Sequence, residues 1–301
     1  QMPYEKAISK VMLQFSKDRY KTFGCIHNSL FSFKSNTEYI IKKTLGWPFG
    51  ELLSKRPFIR LALFYHRIKH SKDLRTILNS HCSLILYTPP NYEELKYFVS
   101  ENSLKSHKVD FMPNPVSTYN ETLPQKEKII LHVGRINNKQ KRSDLLLDFW
   151  ENVYEHLPDW KFQIIGNGPY LNALEDDLQK RDLPNVELLG YQKPEKYFEK
   201  AAIFMMPSAF EGFPNTIIEA QSFGCPVLAY NSYAALSWIV NDNKDALLAP
   251  PFKSKELAKK CINLAKNQNH LRDMQKSSLE NAKRFTLEKV GKEWENLFYS
   301  P

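Results

Sequence analysis

The chain has 301 residues, 42% of them hydrophobic and 25% charged, which is ordinary globular composition and enough length for two domains of ~150 residues. That excludes intrinsic disorder and fibrous repeats, and no apolar run approaches the ~20 residues of a membrane helix. The net charge of +9 is lopsided: residues 1–125 carry 18 Lys and Arg against 10 Asp and Glu, and residues 126–301 carry 24 against 23. The basic excess of the first part could meet an anionic surface such as phospholipid or nucleic acid. The opening QMPYEKAISK lacks a basic start and an apolar core of the kind that directs secretion. The four cysteines (Cys25, Cys82, Cys225, Cys261) are widely scattered, which suits reduced thiols in a cytoplasmic protein better than a disulfide frame or zinc site.

In chain order, the first part reads as a helix near 4–17, a strand at TFGCIHN (22–28), a helix near 58–79, a strand at SLILYT (83–88), a helix near 90–100 and a strand at VDFMPN (109–114). Three strands make a thin sheet, and the chain opens on Gln, so the expectation is an N-terminal lobe lacking its first strands. PNPVSTYNETLPQKEK (113–128) has early prolines and no periodicity, which marks an interdomain linker. From 129 onward, short β-branched or apolar runs alternate with amphipathic stretches. The strands are IILHVG (129–134), FQIIG (162–166), VELLG (186–190), IFMMP (203–207), PVLAY (226–230) and ALLAP (246–250). Helical patterns near 143–156, 169–181, 194–201, 216–224 and 232–240 lie between them, and helices near 253–267, 270–283 and 286–298 close the chain. Such alternation predicts a parallel sheet covered on both faces, with ligands bound at the carboxyl ends of its strands.

Glycine is scarce, at 10 in 301, yet Gly134, Gly166, Gly168, Gly190, Gly212 and Gly224 fall within 91 residues, so the site is expected there. The densest signal is FEGFPNTIIEAQSFGCPVLAY (210–230), where seven residues separate Glu211 from Glu219. Asn215 or Thr216 could cap a helix starting after Pro214, leaving Glu211 in the preceding loop and Glu219 one turn inside. Free amides of residues 212–216 would attract phosphate, and a carboxylate accepts two hydroxyls of a sugar diol. The combination suits a ligand with a sugar at each end and a diphosphate between. For either glutamate alone, a solvent-exposed side chain or a helix-dipole partner explains it as well.

These residues resemble the donor-binding block of the retaining glycosyltransferases of family 4, which have the GT-B fold: two Rossmann-like α/β lobes with a cleft between them. The resemblance covers 129–298, in order. HVGRINNKQKRSDLLL is similar to the family's G-R…K segment, IIGNGPY to its G-x-G-P turn, and PSAFEGFPNTIIEAQSFGCPV to its Glu-x7-Glu block. It implies lobes at 1–124 and 125–285, with the helix at 286–301 crossing back to the first. It also implies that Arg135 and Lys141 hold the donor diphosphate and stabilise charge as it leaves, with Gly134 and Gly166 lining the approach and Lys139 a substitute cation. A solvated loop explains at least two of Lys139, Lys141 and Arg142. Glu219 would take the ribose hydroxyls. Glu211 and the backbone of Gly212, Phe213, Pro214, Asn215 and Thr216 would contact the transferred sugar, and His27, at the end of TFGCIHN, would face it across the cleft. Members with the EGFPN form imply UDP in preference to GDP, and a glycan or lipid-linked acceptor in surface polysaccharide assembly. A non-catalytic nucleotide-sugar-binding protein and an epimerase or hydrolase on the same fold are the competing readings.

The sequence departs from the family where SWIVNDNKDALL puts Trp238 and Ala246 in place of the expected Glu and Gly, and where the first strand's glycine-rich loop has no counterpart. A dinucleotide fingerprint at GNGPYL fails, because Leu171 occupies the third glycine position and Glu187 begins its strand. No phosphate-binding GxxxxGK[ST] loop, His/Cys cluster or Asp-x-Asp pair is present, so the expected chemistry uses neither metal nor cofactor. KRPFIRLALFYHRIKHSKDLR (55–75) interleaves seven Lys and Arg and two His with Phe58, Ile59, Leu61, Leu63, Phe64 and Tyr65. It resembles an interfacial helix for peripheral contact with anionic membrane, while a core helix with a solvated basic face fits equally. No nucleic-acid module accompanies the charge.

Overall fold

A computed structural model describes residues 21–27, 29–31, 49–53 and 55–299. The helix expected near 4–17 lies outside them. The chain folds into two compact units, Gln1–Pro113 with Glu293–Pro301 and Asn114–Lys292. In the first, β1 (Phe23–Cys25), β2 (Ser83–Leu86) and β3 (Lys108–Phe111) form a parallel sheet in the order β1-β2-β3. The helix Arg56–Ser80 precedes β2, and Pro90–Phe98 and Glu101–Lys105 follow it. Its core is Leu74, Ile77, Leu78, Leu84, Leu86, Leu95 and Phe98. The last turns of the helix Leu287–Tyr299 belong to this unit, and Leu297 and Trp294 pack with Ile85 and Met112.

The second unit holds a six-stranded, all-parallel sheet: β4 (Glu127–Val133), β5 (Lys161–Ile165), β6 (Val186–Leu188), β7 (Ala201–Met206), β8 (Val227–Tyr230) and β9 (Ala246–Ala249). The order is β6-β5-β4-β7-β8-β9, so the direction of winding reverses between β4 and β7. The strands are apolar on both faces because helices cover both; all six residues of β7 are buried. The largest cluster stacks Trp150 on Phe162 with centroids 5.6 Å apart, and the Trp150 indole N–H donates to Pro184 O at 2.8 Å. Truncating such a buried aromatic to alanine costs about 3–5 kcal/mol.

Two local expectations are corrected. The helix read over 143–156 stops at Glu151 and resumes as a 3₁₀ turn at Tyr154–His156, because the chain bends to bury both Trp150 and Val153. The helix read over 232–240 is a single turn, Leu236–Ile239. The irregular 114–126 stretch is packed: Val116 N–H donates to Phe285 O at 2.7 Å and Asn120 N–H to Ser222 O at 3.1 Å. The break between the helices Ser254–Lys266 and Gln268–Ala282 has a plain cause, since Asn267 Oδ1 accepts from His270 N–H at 3.0 Å and caps the second.

Candidate functional site

The reversal between β4 and β7 leaves a crevice at the carboxyl ends of the two strands, where open α/β sheets bind ligands. Two loops meet there, 134–143 after β4 and 207–214 after β7. Asn137 organises the first: its Oδ1 accepts from the amides of Lys139, Gln140 and Lys141 at 3.2, 2.9 and 3.1 Å. Ser143 closes that loop, accepting from Asn137 N–H at 3.0 Å and donating its own N–H to Asn137 O at 2.9 Å. Ala209 N–H then donates to Gln140 O at 2.7 Å, tying the loops together.

Across this junction Lys141 Nζ lies 2.7 Å from Glu211 Oε1, with side-chain exposures of 17% and 8%. Gln140 Nε2 donates to the other carboxylate oxygen at 3.1 Å. Tyr233 and Ser208 place two buried hydroxyls in this unit with no partner among the described residues. Burial first, and Glu211 second, push the Tyr233 phenol well above its ordinary range. Glu219 sits one turn into Asn215–Ser222, half-buried. Its carboxyl is pushed above the usual range by burial first and Glu195 next, and Lys141 pulls it back.

The loop after β5 is locked onto the loop after β4. A Cβ on Gly166, whose φ is +150°, would stand 1.8 Å from Gly134 O, and a Cβ on Gly168 would stand 2.3 Å from Ile136 O. Only glycine permits that approach. Ile136 N–H donates to Asn167 O at 3.0 Å across the same junction.

Lys141, Glu211 and Glu219 are therefore brought together, with Gly134 and Gly212 close along the chain and Gly166 packed against Gly134, and Arg135 is exposed on the first position after Gly134. Arg142 is occupied elsewhere: it pairs with Asp144 at 2.7 Å and lies over the Phe252 ring at 4.3 Å. Lys139 is exposed. The expected cap at Asn215 or Thr216 is absent; Pro214 is the cap residue, Asn215 Oδ1 accepts from Asn114 Nδ2 at 2.9 Å, and Thr216 Oγ1 donates to Met206 Sδ at 3.5 Å. Nor are all amides of 212–216 free, because Pro214 has none and Asn215 N–H donates to Phe213 O at 3.1 Å. The Phe213 ring packs edge-on to Phe285 at 5.8 Å, which ties this turn to the scaffold. His27 belongs to the first unit, exposed, with Nδ1 2.6 Å from Tyr87 Oη.

Sequence reasoning missed Gln140, Asn137 and His132. The last had a signal, since it interrupts an otherwise apolar strand. Trp238, where the resemblance expected Glu, serves the scaffold: it stacks edge-on to Phe285 at 5.8 Å and beneath the Arg284 guanidinium at 4.7 Å. Nearby, Asp245 accepts from Asn241 N–H at 2.9 Å and Gln221 Nε2 at 2.9 Å, and Gln221 Oε1 accepts from Asn281 Nδ2 at 2.8 Å. That network fixes the helix bearing Glu219.

The family model described as Glycosyl transferases group 1 matches residues 118–281. An uncharacterized glycosyltransferase of Haemophilus influenzae is 27% identical over 187 residues, 62% of this chain and 53% of its own length. The poly(ribitol-phosphate) alpha-N-acetylglucosaminyltransferase of Staphylococcus aureus is 30% identical over 179 residues, 58% of this chain and 36% of its own. The crystal structure of a Staphylococcus aureus TarM mutant in complex with fondaparinux, alpha-GlcNAc-glycerol and UDP superposes with a TM-score of 0.70 at 22% identity, covering 98% of this chain and 54% of that one. This likeness shows the fold, GT-B. The chain spans about half the length of these proteins, or less.

Proposed function

This chain belongs to the glycosyl transferases group 1 family, and we propose that it transfers a sugar from a UDP-linked donor to a hydroxyl of a glycan or lipid-linked acceptor in surface polysaccharide assembly, with retention at the anomeric carbon. The observation that carries the reading is the Lys141–Glu211 pair, bridged at 2.7 Å where the sheet reverses, with Glu219, which feels the charge of Lys141, one turn into the helix that follows. A cation and two carboxylates there match a donor whose diphosphate is flanked by two polyols.

In this mechanism Lys141 and Arg135 hold the diphosphate and take up the negative charge that grows on its leaving oxygen. Glu219 accepts the ribose hydroxyls. Glu211 orients the transferred sugar and faces the positive charge that develops at its ring carbon. The acceptor hydroxyl attacks from the side the diphosphate leaves; the new carbon–oxygen bond forms as the old one breaks, and a diphosphate oxygen takes the hydroxyl proton. No protein base is then needed, and these cations neutralise the leaving group in place of a metal ion. The UDP held by the Staphylococcus aureus neighbour and the N-acetylglucosaminyl group in the name of the Staphylococcus aureus relative support a UDP-sugar.

Calorimetric titration with UDP and with GDP, in wild type and Glu219→Ala, tests this reading. UDP is expected to bind and to weaken about tenfold or more in the variant, the worth of a charged hydrogen bond. Binding of GDP alone would overturn the donor, and binding of neither would overturn the site. With donor and acceptor in hand, Glu219→Ala should chiefly raise the donor KM and Lys141→Ala chiefly lower kcat.

The reading includes peripheral contact with anionic membrane. Leu61, Phe64, Tyr65 and Ile68 on the helix Arg56–Ser80 are 56–65% exposed, and Arg60, Arg67 and Lys69 are exposed beside them. Asp73, the one acid of that helix, is buried. Among the described residues no helix is long and apolar enough to cross a membrane. Flotation with liposomes containing phosphatidylglycerol should recover wild type; equal recovery of a variant with Arg60, Arg67 and Lys69 changed to Gln would refute the contact.

A further inference from the structure

His132 is fully buried in β4, two residues before Gly134. Its Nδ1 lies 3.0 Å from Met205 O. A carbonyl oxygen accepts only, so Nδ1 carries the proton and donates. In a neutral ring Nε2 is then a bare acceptor, and among the described residues nothing hydrogen-bonds to it. The ring is neutral because burial, reinforced by the charge of Lys141, drives its pKa down to about 4. A buried acceptor with no donor is costly and calls for a physical explanation.

Lys141, whose charge reaches the imidazole, is a candidate donor. A Cβ built on Gly134 would lie 3.4 Å from His132 Nε2 and 4.0 Å from Lys141 Cδ. The imidazole edge and the lysine stem therefore flank one small space, which glycine leaves open. Nζ stands two bonds beyond Cδ, and rotation about the end of the side chain carries it from Glu211 toward that space.

We propose that Lys141 has two stations: Glu211, as observed, and His132 Nε2, taken up when a ligand hydroxyl occupies the Glu211 carboxylate. His132 is then a positioning residue. This rests on the reading that Lys141 faces the donor diphosphate and Glu211 the transferred sugar. When Glu211 turns to the sugar, a lysine with no other acceptor would be released to solvent. A neutral imidazole holds the ammonium without cancelling its charge, so the full positive charge stays aimed at the leaving diphosphate. Lys141 is the charged group facing the imidazole, and Glu211 and Glu219 act on it through that lysine.

The test uses the whole chain with two kinds of readout. Without ligand, histidine-selective ¹⁵N NMR should show His132 Nε2 unprotonated at neutral pH, and Lys141→Met should raise the His132 pKa. A protonated Nε2, or a titration unmoved by Lys141→Met, would overturn the proposal. In calorimetry with UDP and with UDP-N-acetylglucosamine, His132→Phe, which keeps a ring and removes the acceptor, should weaken the UDP-sugar by about tenfold, the worth of one hydrogen bond to a charged group, and leave UDP, which brings no sugar hydroxyl to Glu211, within about threefold. His132→Gln, which restores an acceptor oxygen, should stay within about threefold of wild type, a context-dependent fraction of that bond. Wild-type affinity of His132→Phe for the UDP-sugar, an equal loss for UDP, or equal losses in both variants, would also overturn it. If wild type binds neither ligand, the donor reading fails by itself, and the NMR arm still decides whether Lys141 addresses His132.

Discussion

Replacing Lys141 by methionine keeps most of the stem and deletes one charge of a pair whose side chains are 17% and 8% exposed. The Glu211 carboxylate is then left buried with one remaining donor among the described residues, Gln140 Nε2 at 3.1 Å. Breaking a buried pair from one side costs about 3–5 kcal/mol, and the surviving Gln140 bond points to the lower end, about 3 kcal/mol. In a unit of this size, Asn114–Lys292, each kcal/mol lowers Tm by about 2–4 °C, so a fall of roughly 6–12 °C is expected. Glu211→Gln should cost less, about 1–2 kcal/mol, because the longer lysine can carry its ammonium to the 17% that is open. The double variant Lys141→Met with Glu211→Gln leaves no stranded charge and should cost about 1–2 kcal/mol, close to Glu211→Gln alone, a coupling of about 3 kcal/mol. Thermal unfolding of the four proteins, followed by circular dichroism at neutral pH in low and high salt, reads these numbers. A buried pair is little screened, so the coupling should survive high salt. Losses that add to within about 0.5 kcal/mol, or a coupling abolished by salt, would refute the claim that the two side chains form one buried unit.

The Glu219 carboxyl has a raised pKa in the folded state, so its contribution to stability is full below about 4.5 and is lost as pH rises through the folded value. Glu219→Gln should therefore melt higher than wild type near pH 7, with the gain vanishing in acid, while UDP binding falls; an acid-side gain instead would reverse the assignment. His132 has the opposite sign. Its folded pKa of about 4 lies below the ordinary 6.5, so stability present above 6.5 is lost as pH falls toward 4, by about 3 kcal/mol at most. His132→Phe should flatten that limb of the stability profile, and an unchanged limb would assign the acid lability to other groups. Gly166→Ala forces a side chain onto Gly134 O at a φ that disfavours one, and should cost about 2–4 kcal/mol. A Tm within about 2 °C of wild type, less than 1 kcal/mol in a unit of this size, would show that the two loops yield.

What could be read from sequence followed the period of the local pattern. Five of the six apolar runs of the second unit end in Gly or Pro and the sixth starts with Pro226, and each became a parallel strand; Glu211 and Glu219 stood out because a loop carboxylate and a helical carboxylate frame a conspicuous Gly-Phe-Pro-Asn turn. The β4–β7 reversal that joins Lys141 to Glu211, 70 positions apart, has no local signature, since strand order is a property of the assembled sheet. Gln140 and Asn137 were invisible for a related reason. Their work is done by a loop's exact curl, and a polar residue in a basic segment looks solvated until that curl is known. The apparent helix cap at Asn215 misled because proline at 214 already sets the entry angle, freeing the asparagine to bond Asn114.

The glycine contacts between the loops after β4 and β5 also set the unit of exchange for protein engineering. Gly134 with Gly166, and Ile136 with Gly168, fit like two halves of a hinge plate, so 134–143 and 166–170 form one cassette. A chimera whose crossover falls within 144–160 would separate the halves and mate one parent's plate with the other's. A crossover before 129 or after 190 carries both intact. Libraries aimed at donor choice would hold these glycines constant and diversify Arg135, Lys139 and Asn167, which stand exposed on the cassette's surface.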